Sequence, residues 1–354
     1  MVARQIILPI ILEHYERCAE PSFTFTAAIR NARRPSGRQL RHFGLYSALS
    51  RRTLDYLTVW PSNQTQPYVS TLNNPTATVV ANAAIVPAGT GGDIDVYAYN
   101  STDLLIDING YFAAPGTGGL SMYPVAPCRV LDTRQSGGSL VGEKTVNVVG
   151  SACAPPANAA AYIFNATVVP PGSMPYLTLW PDGEQQPVVS TLNGYDGFIT
   201  SNMAIVPAGA SGAINVYAYN TTDLLIDING YFAPAGTGGL SMYPAPPCRV
   251  LDTRQNHGQP FMGEKAVNVE GSACAPPSNA AAYIFNATVV PPGSMPFLTL
   301  WPDGELQPVV STLNAYDGFI TSNMAIVPTT NGSIDAYAQG LTQLILDISG
   351  YFAP

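Results

Sequence analysis

The sequence predicts an all-β protein built from tandem antiparallel β-sandwich repeats of jelly-roll-like type. Three observations lead there. One ten-residue stretch occurs three times: LLIDINGYFA at 104–113 and 224–233, and LILDISGYFA at 344–353. Its residues alternate, with Leu224, Ile226 and Ile228 on one side and Leu225, Asp227 and Asn229 on the other, the two-residue period of a strand with one buried face. The chain also carries 32 Gly and 32 Pro but only 11% charged residues, which suits short strands joined by tight turns. Longer blocks then recur at domain-sized spacing: YLTVWP at Tyr56 returns as YLTLWP at Tyr176 and FLTLWP at Phe297, offsets of 120 and then 121 residues.

Taken in order, residues 1–53 stand apart. QIILPIIL at Gln5–Leu12 is apolar but interrupted by Pro9, too short for a secretory core and without a clean cleavage site after it. The basic piece Arg30–Arg41 lacks the aromatic interleaving that would specify a nucleic-acid groove. This segment is expected to be a mis-started or frameshifted version of a first half-repeat and its signal peptide. Residues 54–119 then form an incomplete repeat, and 120–239 and 240–354 two complete ones. Each complete repeat is preceded by GTGGLSMYP (Gly116–Pro124, Gly236–Pro244), read as a short hinge, and opens on PCRVLDTR (Pro127–Arg134, Pro247–Arg254). Strand-like runs follow at Lys144–Val149, Ala161–Val169, Tyr176–Trp180, Val188–Leu192, Phe198–Val206 and Ala213–Tyr219, before the closing stretch. In that stretch Asn229-Gly230 is read as a bend ahead of Tyr231. About eight strands in a repeat of this length make a sandwich.

Charge and cysteine usage narrow the function class. Residues 1–52 hold nine of the fifteen basic groups and three of the 23 acids, so the remainder carries six basic and twenty acidic groups, a balance of −14. Such a body has no electrostatic footprint for nucleic acid, and no apolar run reaches the roughly 18 residues of a membrane span. Cys128 with Cys153, and Cys248 with Cys274, fall at matching repeat positions and are expected to form one disulfide per complete repeat, stabilising by about 3 kcal/mol each. Cys18 is the odd one. Disulfides place the protein outside the cell or at its surface, although no signal peptide is evident.

PCRVLDTR, YLTLWPDGEQQPVVSTLN, SNMAIVPAGASGAINVY and LLIDINGYF, in that order over residues 54–354, resemble a repeat common in large secreted proteins of acidobacteria and actinobacteria. That repeat occurs in tandem, at times appended to cell-wall amidases or peptidases. The resemblance implies export and modularity rather than any chemistry. The missing first half of the first repeat departs from it.

The candidate polar sites read as structural. Asp132 with Arg134, and Asp252 with Arg254, stand two apart on one strand face and suit a charge-assisted pair that pins strand to loop. Asp107, Asp227 and Asp347 beside the Gly are expected to stabilise a turn. With Asp95, Asn215 and Asp335 as their only plausible companions they fall short of the six to eight oxygens a Ca²⁺ ion takes, so no metal or cofactor is expected. The histidines (His14, His42, His257) lie in the atypical N-terminus and a variable loop, where a nucleophile–base mechanism would need one on the scaffold. The chain is therefore read as non-enzymatic. Trp60, Trp180 and Trp301 at one strand end, and Tyr217 with Tyr219 on one strand face, could stack sugar rings, while core capping is the plainer role. These features point to a secreted structural or adhesive spacer, drawn out as a rod of hinged units, whose partners are other copies or neighbouring repeats. The alternative is a module of an exported hydrolase that binds carbohydrate or cell-wall polysaccharide.

Overall fold

A computed structural model describes residues 53–114, 116, 118–255 and 258–354, together with the backbone of Gln5–Leu12 and Ser22–Phe25. The chain is all-β, made of antiparallel sheets. Among the described residues the helical content is two single 3-10 turns, Thr90–Gly92 and Ala210–Gly212, and no helix is long and apolar enough to cross a membrane.

In the second repeat the two runs expected at 213–219 and 224–233 are one strand, Ala213–Pro234, 22 residues long. Its first half pairs with Leu140–Asn147 and Met174–Pro181, and Leu192–Gly194 extends that sheet. Its second half pairs with Leu120–Asp132 and Ala161–Val169, with Thr200–Pro207 outside the latter. One strand thus passes through both sheets of a sandwich. Between the sheets lie Tyr162, Phe164, Val168, Leu177, Val216 and Ile226, and each such side chain contributes about 1.5–3 kcal/mol on burial. The third repeat copies this plan around Ser333–Ala353.

The closing Asn-Gly is not a bend. The strand runs straight through it with a bulge, because the ladder register shifts between Ile228 and Gly230. A Cβ on Gly230 would sit 3.0 Å from the Tyr123 carbonyl oxygen, and one on Gly350 would sit 2.8 Å from that of Tyr243. Glycine is required there by close backbone approach. Nor is GTGGLSM a free hinge: Met122 and Leu240, one from each copy, exchange backbone hydrogen bonds of 3.0 and 2.8 Å.

The first repeat is built differently. Gln5–Leu12 takes the place of Ala161–Val169, with Gln5 opposite Pro87 as Ala161 is opposite Pro207. Ser22–Phe25 takes the place of Leu140–Asn147 against Ile94–Ala98. Residues 1–53, expected to stand apart, therefore lend this repeat two strands, in the reverse of their order in the complete repeats. Cys18 and the segment Arg30–Arg41 lie outside the described residues.

The expected rod is replaced by a closed ring. Ile163, Met203, Ile205 and Phe232 of the second repeat meet Ile284, Met324, Ile326 and Phe352 of the third, and Ala83 and Ile85 of the first, in one apolar cluster. Phe112, Phe232 and Phe352 touch pairwise, with ring centroids 5.8, 5.9 and 6.3 Å apart. In the second and third repeats the second sheet is thus buried on both faces, by its own sandwich and by its neighbours. That explains why Ile163 is apolar although it alternates away from Phe164.

Candidate functional site

The densest polar constellation lies on the seams of the ring. Arg129, from the CR of PCRVLDTR, donates from Nε and Nη2 to the two carboxylate oxygens of Asp227 at 2.6 and 3.1 Å, and from Nη1 to Asp132 at 3.2 Å. Arg134 in turn holds Asp132 through Nε and Nη2, at 2.9 and 2.7 Å. The third repeat has the same ladder, Asp347–Arg249–Asp252–Arg254. Fork-to-fork geometry of this kind is the strongest form of side-chain pairing. The pairs Asp132–Arg134 and Asp252–Arg254 are those the sequence suggested. Asp227 and Asp347 do not stabilise a turn; each anchors an arginine on the neighbouring strand.

Burial decides the electrostatics. Asp227 is 1% exposed, and its desolvation pushes the carboxyl up to about 6 against the pull of Arg129. Asp347 is raised for the same reason. Asp132 and Asp252 move the other way, held below the usual carboxylate range chiefly by hydrogen bonds from Arg134 and Arg254. The ladder also reaches across the seams. Arg129 Nη2 donates to the Val309 carbonyl of the third repeat at 3.2 Å, and the Arg249 guanidinium lies 5.6 Å from the Tyr68 ring centroid of the first.

A second set of polar groups closes the ring. Asn82, Asn202 and Asn323 occupy the same position in three otherwise apolar strands and are buried. Each accepts a backbone N–H from another repeat: Ala83 donates to Asn202 at 3.3 Å, Met203 to Asn323 at 3.0 Å, and Met324 to Asn82 at 3.0 Å. Asn165 and Asn286 add bonds to Asn323 and Asn82, both at 2.9 Å.

Of the two roles open to the tryptophans, the structure shows the plainer one, that of core residues. Trp60, Trp180 and Trp301 are all buried, and each indole N–H donates to a carbonyl four residues on, at 3.0 Å. No flat face is left for a sugar. Tyr217 is half-buried and Tyr219 half-exposed; both pack on Tyr176, with centroids 5.9 and 5.2 Å away. Asp95, Asn215 and Asp335 sit opposite Trp60, Trp180 and Trp301 in the other sheet, away from Asp107, Asp227 and Asp347. Among the described residues no acidic, Cys or His cluster could hold a metal ion. His14, His42 and His257 lie outside those residues.

Exposed aromatics do gather elsewhere, at a place the sequence did not flag. At one end of the ring, strands of all three repeats converge on a small recess of about 60 Å³. Phe198 and Phe319 line it and are exposed, as is Tyr195. Asp196 and Asp317 lie there too, and burial raises the Asp317 carboxyl. The Ser201 hydroxyl at its wall is buried with no hydrogen-bond partner among the described residues. The first repeat contributes the smaller Pro75 and Thr76.

Cys128 is bonded to Cys153 and Cys248 to Cys274, tying each CR strand to the loop after its neighbour. No protein-family model matches the chain, and no curated protein matches it.

Proposed function

We propose that the chain is an exported, non-enzymatic structural or adhesive protein of the cell surface, a compact three-lobed body instead of an extended spacer. The observation that carries this reading is where the recurring polar groups are engaged. The aspartate–arginine ladders of the two complete repeats and the asparagines shared by all three are engaged by one another and by backbone. Two disulfides suit an oxidising compartment. The test is fractionation of producing cells with an antibody to the chain, together with attachment of wild-type and deletion cells to a surface. Recovery in the cytoplasm with unchanged attachment would remove the proposal.

The recess favours a second reading, carbohydrate binding. Exposed aromatic faces, carboxylates and a buried unpaired hydroxyl are the groups that hold a polyhydroxylated ring. A glycan array probed with wild-type protein and Phe198→Ala tests it. A hit lost in the variant supports binding at the recess, and an array without hits, or hits the variant keeps, speaks against it.

A further inference from the structure

The three repeats serve as internal controls for one another, and among the described residues the first has no counterpart to one strand of the other two. In the complete repeats, Leu120–Asp132 and Ser241–Asp252 flank the second half of the long strand. In the first repeat the second sheet runs from Val80–Pro87 through Gln5–Leu12 to Leu105–Ile106 and Gly110–Phe112, and there it ends. Among the described residues no strand pairs with the far edge of those two pieces.

The edge carries the marks of a missing partner. The strand that is continuous over 22 and 21 residues in the other repeats is broken here into Ile94–Ala98, Leu105–Ile106 and Gly110–Phe112. Leu105 and Ile108 are 37% and 47% exposed, where Leu225 and Ile228 are 6% and 1%. Tyr111 is exposed, whereas its counterparts Tyr231 and Tyr351 are stacked on Tyr123 and Tyr243, with centroids 5.2 and 5.3 Å apart. Asp107 stands where Asp227 and Asp347 receive Arg129 and Arg249, and it has no partner among the described residues. Burial raises its carboxyl.

We propose that this edge is an acceptor for one extended segment in trans, a strand of the LSMYPxxPCRVLDTR type. The added strand would complete the ladder by main-chain hydrogen bonds, the usual mode of strand addition. Specificity comes from two side chains six residues apart. A tyrosine lies over Tyr111, and an arginine forks onto Asp107, at the spacing of Tyr123 to Arg129 and Tyr243 to Arg249. Charge complementarity selects this occupant: the aspartates at this position in both other repeats each receive an arginine fork.

The test uses the full chain and a synthetic peptide of residues 120–134 with Cys128 replaced by Ser. Titration by fluorescence anisotropy should give saturable binding, and hydrogen exchange should slow at 104–112 and not in the matching segments of the other repeats. A peptide with Arg129→Gln should bind at least tenfold more weakly, and a scrambled peptide not at all. Absence of binding, equal binding by the Arg129→Gln or scrambled peptide, or protection of 104–112 by concentration-dependent self-association of the chain alone would each overturn the proposal.

Discussion

Replacing Asn323 by alanine tests the ring at one atom group. Its side chain donates to the Asn165 Oδ1 at 2.9 Å and the Thr312 carbonyl at 2.7 Å, and accepts from the Met203 N–H at 3.0 Å, all in a site only 1% exposed. Truncation removes three bonds, each worth about 1 kcal/mol net, and leaves a buried N–H with no acceptor, so the expected cost is about 3–4 kcal/mol. Asn202 makes two such bonds, to Thr191 and from Ala83, because the position that matches Asn165 and Asn286 is Pro9, which has no amide to offer. Asn202→Ala should therefore cost about 2 kcal/mol, less than its counterpart. The assay is urea unfolding followed by tryptophan fluorescence. Each repeat contains one buried tryptophan, Trp60, Trp180 or Trp301, so single-tryptophan variants report each repeat separately. If the shared core binds the three into one cooperative unit, all three reporters move together and shift together in Asn323→Ala. A shift confined to one reporter, or equal costs at 202 and 323, would refute the reasoning.

Three further outcomes are expected. Arg129→Gln strands the buried Asp227 carboxylate and should lower stability by about 3 kcal/mol or more, whereas Arg134→Gln, on a half-exposed side chain, should cost well under half as much in the same urea titration. Asp227 and Asp347 are raised in the folded state, so they bind protons more tightly folded than unfolded, and stability rises as pH falls from about 7 towards 5. Asp132 and Asp252 are lowered, so their contribution is lost as pH falls below about 4. A melting temperature that peaks between these limits fits, and one that falls steadily from pH 7 to 5 does not. Finally, Cys128→Ser with Cys153→Ser opens a loop whose ends are 25 residues apart and should cost about 3 kcal/mol. The matching pair at 248 and 274 should cost the same, read as equal shifts of the unfolding midpoint.

Much of this was legible in the sequence, and the omissions have physical causes. Alternation in LLIDINGYFA and the repeat spacing reveal the strands because a sandwich imposes a two-residue period, and the paired cysteines recur at fixed positions. Arg129 escapes the same logic. Strict alternation puts Arg129 and Asp132 on opposite faces, but the register shifts between Arg129 and Leu131, and a bulge leaves no mark in the residue pattern. The ring is not legible in the alternation, because a two-residue period separates the two faces of a strand without saying whether the second meets solvent or a neighbouring repeat. The signal was present: an asparagine in the middle of the apolar ANAAIVP and SNMAIVP segments of all three repeats calls for a buried partner. For the tryptophans the sequence favours core capping without excluding stacking, because a strand-end aromatic looks the same in sequence whether its N–H finds water or a turn carbonyl.

Three like lobes on one polypeptide differ from three identical chains in a way that bears on evolution as well as stability. Tethering gives each lobe a local concentration of its neighbours in the millimolar range, so the assembly does not come apart on dilution. It also frees the lobes from identity. A substitution at one seam, such as Arg129 at Asp227, leaves the matching ladder of Arg249 and Asp347 untouched, where in a homotrimer it would strike every seam at once. Covalent threefold construction lets a single sector take on a new role while the remaining two keep the body intact.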